Sequence, residues 1–227
     1  MEVVYEDNHI IIVNKAPGEI VQGDKTGDTP LCDTVKEWIK QKYAKPGNVF
    51  IGVVHRLDRP VAGLVVFAKT SKALTRLNEM FRNGDVHKTY WAISRNTPPE
   101  QHGELTHYIT TVESTNKSYA HTQPKTGAKE ARLRYSLIAR SDRYNLIEVE
   151  LLTGRKHQIR VQLSSIGCPI KGDLKYGDKR SNRDGSISLM ARRVKFIHPV
   201  SHKEIDITAP LPAGEPLWEI LKNNIPE

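Results

Sequence analysis

The sequence predicts an α+β chain built on a large mixed, mostly antiparallel sheet flanked by helices. Three observations carry this expectation. Near-continuous apolar runs at 48–55 and 63–70 fit strands buried on both faces. Short segments of alternating apolar and polar residues crowd the second half of the chain with small gaps between them. Helical spacing is confined to a few stretches dispersed among the strands. The length of 227 residues suits one sizeable domain, and residues 1–227 are expected to form a single domain without internal repeat or linker.

Taken in order, "HIIIVNK" (9–15) is a β-rich run ended by the turn signal "APGE". In "TPLCDTVKEWIKQKY" (29–43), Leu31, Val35, Trp38 and Ile39 recur at helical spacing, with Pro46-Gly47 beyond the end. After the two apolar runs, Ala73, Leu74, Leu77, Met80 and Phe81 form one helical stripe, with Ser71 as expected N-cap and Gly84 as stop. Strands are expected at 88–94, 104–112, 131–139 and 144–152, the third with Ala131, Leu133, Tyr135, Leu137 and Ala139 on one face. The polar stretch 113–130 reads as a loop or hairpin. "RKHQIRVQLSSIG" (155–167) reads as a helix with Ile159, Leu163 and Ile166 inward, and 177–186 as a basic loop. Strands at 187–197 and 203–210 and a helix at 216–223 complete the chain.

Composition narrows the function classes. Hydrophobic residues make up 38%, enough for a packed core. Lys and Arg number 34 against 26 Asp and Glu, a formal net charge of +8. That balance favours a polyanionic partner, nucleic acid foremost and an anionic membrane surface second. Cys32 and Cys168 are far apart, which suggests neither a zinc cluster nor a disulfide framework and fits a reducing cytosol. The opening residues lack a basic region followed by a long apolar stretch, and no apolar run reaches membrane-spanning length, so neither signal peptide nor membrane span is expected.

Two places break local rules. In "VVHRLDRPVAGLVVFAKT" (53–70), charged residues stand between two segments that favour burial. A connection of this kind lies at a sheet edge, where functional loops collect. If the extended backbone continues through Asp58, Arg56 and Asp58 share one face and His55 and Leu57 the other. Asp58 is either a salt-bridged turn residue or a catalytic carboxylate, and His55 either a ligand, a base or a hydrogen-bonded structural residue. No second carboxylate, nucleophile elbow or phosphate-binding glycine loop accompanies them. In "TGRKHQIRVQL", Arg155, Lys156, His157 and Arg160 crowd a predicted helix start, the end that favours anions rather than cations. Lys156 and Arg160 would be a like-charged i,i+4 pair. This points to an anion there, either a phosphate or a carboxylate such as Asp58, against a solvated basic face. Tyr90 and Trp91 are adjacent on a strand, so one is expected in the core and the other is available to stack on a base.

The segments "HRLDRPVAGLVVFAKT", "HKTYWAI" and "LLTGRKHQIRVQLSSIGCPIKGDLKYG" resemble the three signature segments of the RluA-type pseudouridine synthases, with the likeness running from "YEDNHIIIVNKAPGEIV" to "FIHPVSHKEIDITAPLP". The resemblance implies a pseudouridine synthase fold and an isomerase that converts uridine to pseudouridine in tRNA or rRNA. It implies a catalytic role for Asp58, an active-site role for Tyr90 in the K-x-Y-x-A segment, and Arg160 of "HQIR" as countercharge to Asp58. Arg56 would intrude into the RNA, with Arg155, Lys156 and His157 adding RNA contacts. No metal or other cofactor is implied, and a cytoplasmic monomer is expected. Two departures stand out: Val61-Ala62 occupy the place where the family usually has Thr-Ser, and no N-terminal S4-type RNA-binding domain is recognised. The competing readings are an RNA-binding protein that has kept the fold without catalysis, and a phosphodiesterase using His55 and Asp58, which would need a metal or a second acid.

Overall fold

The structure is a computed structural model and describes residues 1–226. Along the chain the elements are β1 (Glu2–Glu6), β2 (Ile10–Lys15), α1 (Leu31–Lys42), β3 (Gly52–Val53), β4 (Ala62–Ala68), α2 (Ser71–Asn83), β5 (His87–Ser94), β6 (His102–Val112), β7 (Lys117–His121), β8 (Lys129–Arg140), β9 (Asn145–Leu151), α3 (Gln158–Ser165), β10 (Leu189–Ile197), β11 (Glu204–Thr208) and α4 (Pro216–Asn223). Short 3-10 turns lie at Glu113–Thr115 and Leu174–Tyr176. The architecture is α+β, as the apolar periodicity predicts. By internal contacts the chain divides into two compact units: Met1–Val86 with Ala191–Pro210, and His87–Met190 with the segment from Leu211 onward.

In the first unit the sheet runs β1-β2-β4-β10, with β3 pairing on β4 and β11 on β10. β2 and β4 are antiparallel, with Ile12 opposite Val66 and Lys15 opposite Gly63. Every residue of β4 is buried, which is why its sequence is unbroken apolar rather than alternating. Ile10 to Val13 are fully buried as well. At about 1.5–3 kcal/mol for each large apolar side chain removed from water, this pair of strands dominates the unit's core. α2 buries Ala73 and Leu77. Its N-cap is Thr70 and not Ser71: Thr70 has the extended backbone (φ −136°, ψ 153°) that a cap requires, and its hydroxyl accepts the Ala73 N–H. The expected strand 48–55 contracts to Gly52–Val53. The reason is local, since Phe50 is 47% exposed and the imidazole of His55 takes over the next ladder position.

The second unit carries the antiparallel order β5-β9-β8-β6-β7. Ala131, Leu133 and Tyr135 face inward from β8, as their alternation predicts. The polar stretch 113–130 folds in part into β7, an edge strand whose Ser118 and Ala120 turn toward α3 and the core cluster of Ile109, Ala131, Val161 and Tyr176. α3 starts three residues later than expected. His157 adopts a left-handed backbone (φ 56°) as its N-cap, so Arg155 and Lys156 precede the helix. The like-charged helical pair anticipated between Lys156 and Arg160 therefore does not form. Ile166, expected inside the helix, is its C-cap.

Gly63, the second residue of β4, has φ +110°, and a Cβ there would lie 2.3 Å from the Ala191 carbonyl oxygen and 2.6 Å from its nitrogen. Both neighbours are backbone and cannot rotate away. Gly63→Ala is expected to destabilise the protein by at least about 2 kcal/mol, through strain at a left-handed position combined with overpacking, as read from urea unfolding midpoints.

Candidate active site

The charged stretch at 55–58 lies on the connection between β3 and β4, in the first unit. His55 Nε2 accepts the Val66 N–H at 2.9 Å, and its ring stacks on Phe81 at 4.8 Å between centroids. An accepting Nε2 leaves the ring proton on Nδ1, so this imidazole is a neutral strand partner and not a metal ligand or free base. Leu57 is buried and Arg56 exposed, the alternation expected of extended backbone. Asp58 is half-buried, and its carbonyl accepts the Val61 N–H at 3.0 Å to close a turn.

Beneath that turn lies a residue the sequence reading did not single out. Lys15, the last residue of β2, is 1% exposed. Its Nζ donates to the carbonyls of Val61 at 2.7 Å, Ala16 at 2.9 Å and Arg59 at 3.1 Å. Burial lowers its pKa to about 8, against the opposing pull of the Glu19 and Asp58 carboxylates. The Arg59 carbonyl also accepts the Gly18 N–H at 2.8 Å. The Arg59 guanidinium reaches Asp28 at 2.7 Å and the Thr26 hydroxyl at 2.9 Å. The available signal was a Lys closing β2 after the apolar run Ile10–Val13 and Asn14, a pattern shared with ordinary strand ends.

In the second unit, Tyr90 and Trp91 are both buried, at 6% and 7% exposure. Trp91 donates its indole N–H to Glu148 at 3.0 Å across the β5–β9 pair. Both side chains are therefore buried, where alternation along the strand expected only one of them in the core. Lys88, two residues before Tyr90 and on the same strand face, is half-buried, and burial lowers its pKa.

Arg160 sits in the first turn of α3 and forms a two-pronged ion pair with Asp173: Nε to Oδ2 at 2.7 Å and Nη2 to Oδ1 at 2.9 Å. Both side chains are buried, at 7% and 1% exposure. Such fork-on-fork geometry fixes the guanidinium plane as well as its position. The Tyr176 ring lies 5.0 Å from the guanidinium carbon. Its hydroxyl accepts the Ser118 N–H at 2.8 Å and is hydrogen-bonded to His157 Nδ1 at 2.7 Å. Burial raises the Tyr176 pKa, so the hydroxyl stays protonated and able to donate. Asp173 and Tyr176 come from "GDLKYG", whose bracketing Gly172 and Gly177 both have positive φ. At Gly172 a side chain would strike the Ser186 carbonyl at 2.7 Å. Those glycines around an Asp and a Tyr were the signal for this arrangement.

The other basic residues are placed differently. Arg155 and Lys156 are exposed; Arg155 Nε donates to the Glu130 carbonyl at 2.8 Å, and Lys156 reaches Glu113 at 3.1 Å. His157 is 7% exposed and bonded to Tyr176, so it caps α3 from inside the unit.

The buried ion pair yields a direct expectation. Asp173→Ala should destabilise the protein by about 3 kcal/mol or more in urea unfolding, because it removes a charged partner of a buried guanidinium. A loss under about 1 kcal/mol, as typical of exposed pairs, would contradict the assignment.

Comparison with known proteins agrees with this fold. Residues 9–165 match the family model described as RNA pseudouridylate synthase. The chain is 32% identical to ribosomal large subunit pseudouridine synthase D of Zymomonas mobilis, over 93% of this chain and 69% of that protein. It is 31% identical to tRNA pseudouridine synthase C of Vibrio vulnificus, over 97% and 94%. The structure of human RNA pseudouridylate synthase domain containing 4 superposes with a TM-score of 0.78 at 24% identity, covering 93% of this chain and 89% of that one, a likeness of fold. The chain belongs to the RNA pseudouridylate synthase family, a family of isomerases.

Proposed function

We propose that this protein isomerises a specific uridine to pseudouridine in structured tRNA or rRNA, with residues 1–227 acting as the catalytic core and Asp58 as its catalytic carboxylate. The observation that carries the reading is the Asp58 turn. A carboxylate stands half-buried on a loop whose backbone is held from below, beside an exposed arginine, within a motif matching the family. Relatives at similar identity bear names that assign them to tRNA or to large-subunit rRNA, and the basic charge of this chain suits either.

The chemistry fits these residue types. The bond between C1′ and N1 breaks, the uracil turns within the site, C5 bonds to C1′, and the C5 proton leaves for solvent while N1 gains one. Atoms and oxidation state balance without a cosubstrate. Asp58 starts the sequence, by attack on sugar or base or by removing a sugar proton. Tyr90 contacts the uracil, and Arg160, its plane held by Asp173, supplies fixed positive charge. Extracting the uridine from its stack costs a few kcal/mol before chemistry begins. Arg56, exposed at the turn, offsets this by occupying the vacated space, and Arg155 and Lys156 bind phosphate. His157 supports them by capping α3. The protein acts as a monomer in the cytoplasm; among the described residues no helix is long and apolar enough to cross a membrane.

Asp58→Asn keeps the size of the side chain and removes its charge. Incubated with total tRNA and rRNA from cells lacking the gene, this variant should form no pseudouridine. Its RNA affinity should stay within about threefold of wild type, because phosphate contacts dominate binding. Retained turnover would overturn the role of Asp58. Absence of turnover in the wild-type protein, with RNA binding intact, would favour an RNA-binding protein that has lost catalysis.

A further inference from the structure

We propose that Arg59 is a phosphate-binding residue for the RNA substrate, and that the loop bearing Asp24, Thr26 and Asp28 holds its guanidinium in the free protein until a phosphodiester takes the place of the two carboxylates. The inference rests on the reading of this chain as an RNA-modifying enzyme and extends it to what occupies the ground beside Asp58 before RNA arrives.

Arg59 follows Asp58 directly. With Pro60 it forms the corner of the turn that the Asp58 carbonyl and the Val61 N–H close at 3.0 Å. Its backbone is tied, since its carbonyl accepts the Gly18 N–H at 2.8 Å and the Lys15 ammonium at 3.1 Å. The side chain therefore leaves from a fixed point one residue away from the carboxylate that the substrate must reach. Its guanidinium is directed at oxygens. Nη1 donates to Asp28 Oδ2 at 2.7 Å, while Nη2 donates to the Thr26 hydroxyl at 2.9 Å and lies 3.6 Å from Asp24 Oδ2. Two anionic oxygens and one hydroxyl oxygen around a planar fork offer much the same contacts as a phosphodiester, and the fork of an arginine suits either.

The loop is placed to yield. Residues 22–29 are exposed and carry neither helix nor strand. At its base the Leu31 N–H donates to the Ile20 carbonyl at 2.7 Å and the Cys32 N–H to the Val21 carbonyl at 3.2 Å, and Ile20, Val21 and Leu31 are buried. The loop can swing on this closed base while β2 and α1 stay in place. Asp24 also accepts the Thr26 N–H at 2.9 Å, a local bond that survives the departure of Arg59. The ion pairs are solvated, with the side chains of Arg59, Asp24 and Asp28 39%, 45% and 56% exposed. Each pair in such surroundings shifts an equilibrium by no more than about fivefold, so a phosphate can replace it. The contacts of Thr26 foremost for Asp24, and the Arg59 guanidinium foremost for Asp28, hold both carboxyls below the usual carboxylate range. Both are charged at neutral pH and oppose a phosphate at Arg59 for as long as they stay there. The buried, two-pronged pair of Arg160 and Asp173 is the contrasting case, a contact that fixes a side chain rather than releasing it.

The test is a binding cycle with the full chain, by filter retention, on whichever of bulk tRNA and large-subunit rRNA from cells lacking the gene the wild-type protein holds more tightly. Arg59→Gln should weaken binding about 3- to 10-fold at about 0.1 M salt and lower the slope of log affinity against log salt by about 0.7 to 0.9, the loss of one phosphate contact. Asp24→Asn combined with Asp28→Asn should tighten binding about 3- to 10-fold, because Arg59 is then free to meet the RNA. Placed in the Arg59→Gln background, the same two asparagines should change affinity by less than about twofold, since no guanidinium is left to release. A salt slope unchanged by Arg59→Gln would overturn the phosphate contact. A gain from the asparagines that persists in full without Arg59 would assign it to net charge and overturn the hold of the loop on the guanidinium, as would no gain in the wild-type background. These readings need no turnover, so a protein that shows the expected cycle and forms no pseudouridine would refute the functional reading alone.

Discussion

An ammonium group held away from water must be surrounded by oxygen, because leaving it bare in an apolar interior costs far more than a domain's whole stability. Lys15 meets that requirement with three carbonyls, and much of the first unit follows from it. β2 must end where Nζ can reach the Asp58 turn. β4 must pass opposite it at Gly63, its second residue, a position where the backbone runs too close to Ala191 for any side chain. The flanking loop must fold back so that Gly18 meets Arg59. The apolar strands on either side supply the rigidity, each residue of β4 being buried. Charge and core are thus one construction: the sheet holds the lysine, and the lysine holds the turn.

The second unit solves the opposite problem with the same physics. Arg160 carries its charge into a buried place and is met there by Asp173, with Tyr176 across the guanidinium face. The cost of desolvating the pair is recovered only because the geometry is two-pronged and the surrounding donors are satisfied. His157 contributes by taking a left-handed backbone that starts α3 at Gln158, and by its hydrogen bond with the Tyr176 hydroxyl. The like-charge crowding in "GRKHQIR" that suggested a binding site is therefore resolved in two ways. Arg155 and Lys156 turn outward ahead of the helix, and Arg160 turns inward to a partner.

Much of the fold was legible because burial writes a period into the sequence. The strands at Ile10–Lys15, Ala62–Ala68 and Lys129–Arg140 and the helices at Leu31–Lys42, Ser71–Asn83 and Pro216–Asn223 lie where apolar spacing placed them. The misses have physical causes. The run at 48–55 is apolar but mostly outside the ladder, because a side chain, His55, replaces backbone as the partner of Val66. Alternation left one of Tyr90 and Trp91 for solvent, whereas both are buried and Glu148 across the strand pair accepts the Trp91 indole N–H. Asp58 and Arg56 stood out because charge between apolar runs is anomalous. Lys15, Asp173 and Tyr176 did not, since what makes each of them important is a partner elsewhere in the chain, and the local signs, a lysine ending a strand and two glycines bracketing an Asp and a Tyr, do not name that partner.

Membership of the RNA pseudouridylate synthase family and the construction around Asp58 meet in one claim, that this chain makes pseudouridine in cellular RNA. The most direct measurement is a pseudouridine map of total tRNA and rRNA, by chemical labelling and primer extension, in cells with the gene, without it, and with it restored. The account predicts that a defined uridine loses its modification when the gene is removed and regains it on restoration. An unchanged map, together with no pseudouridine formed when the purified protein is given that RNA, would contradict it.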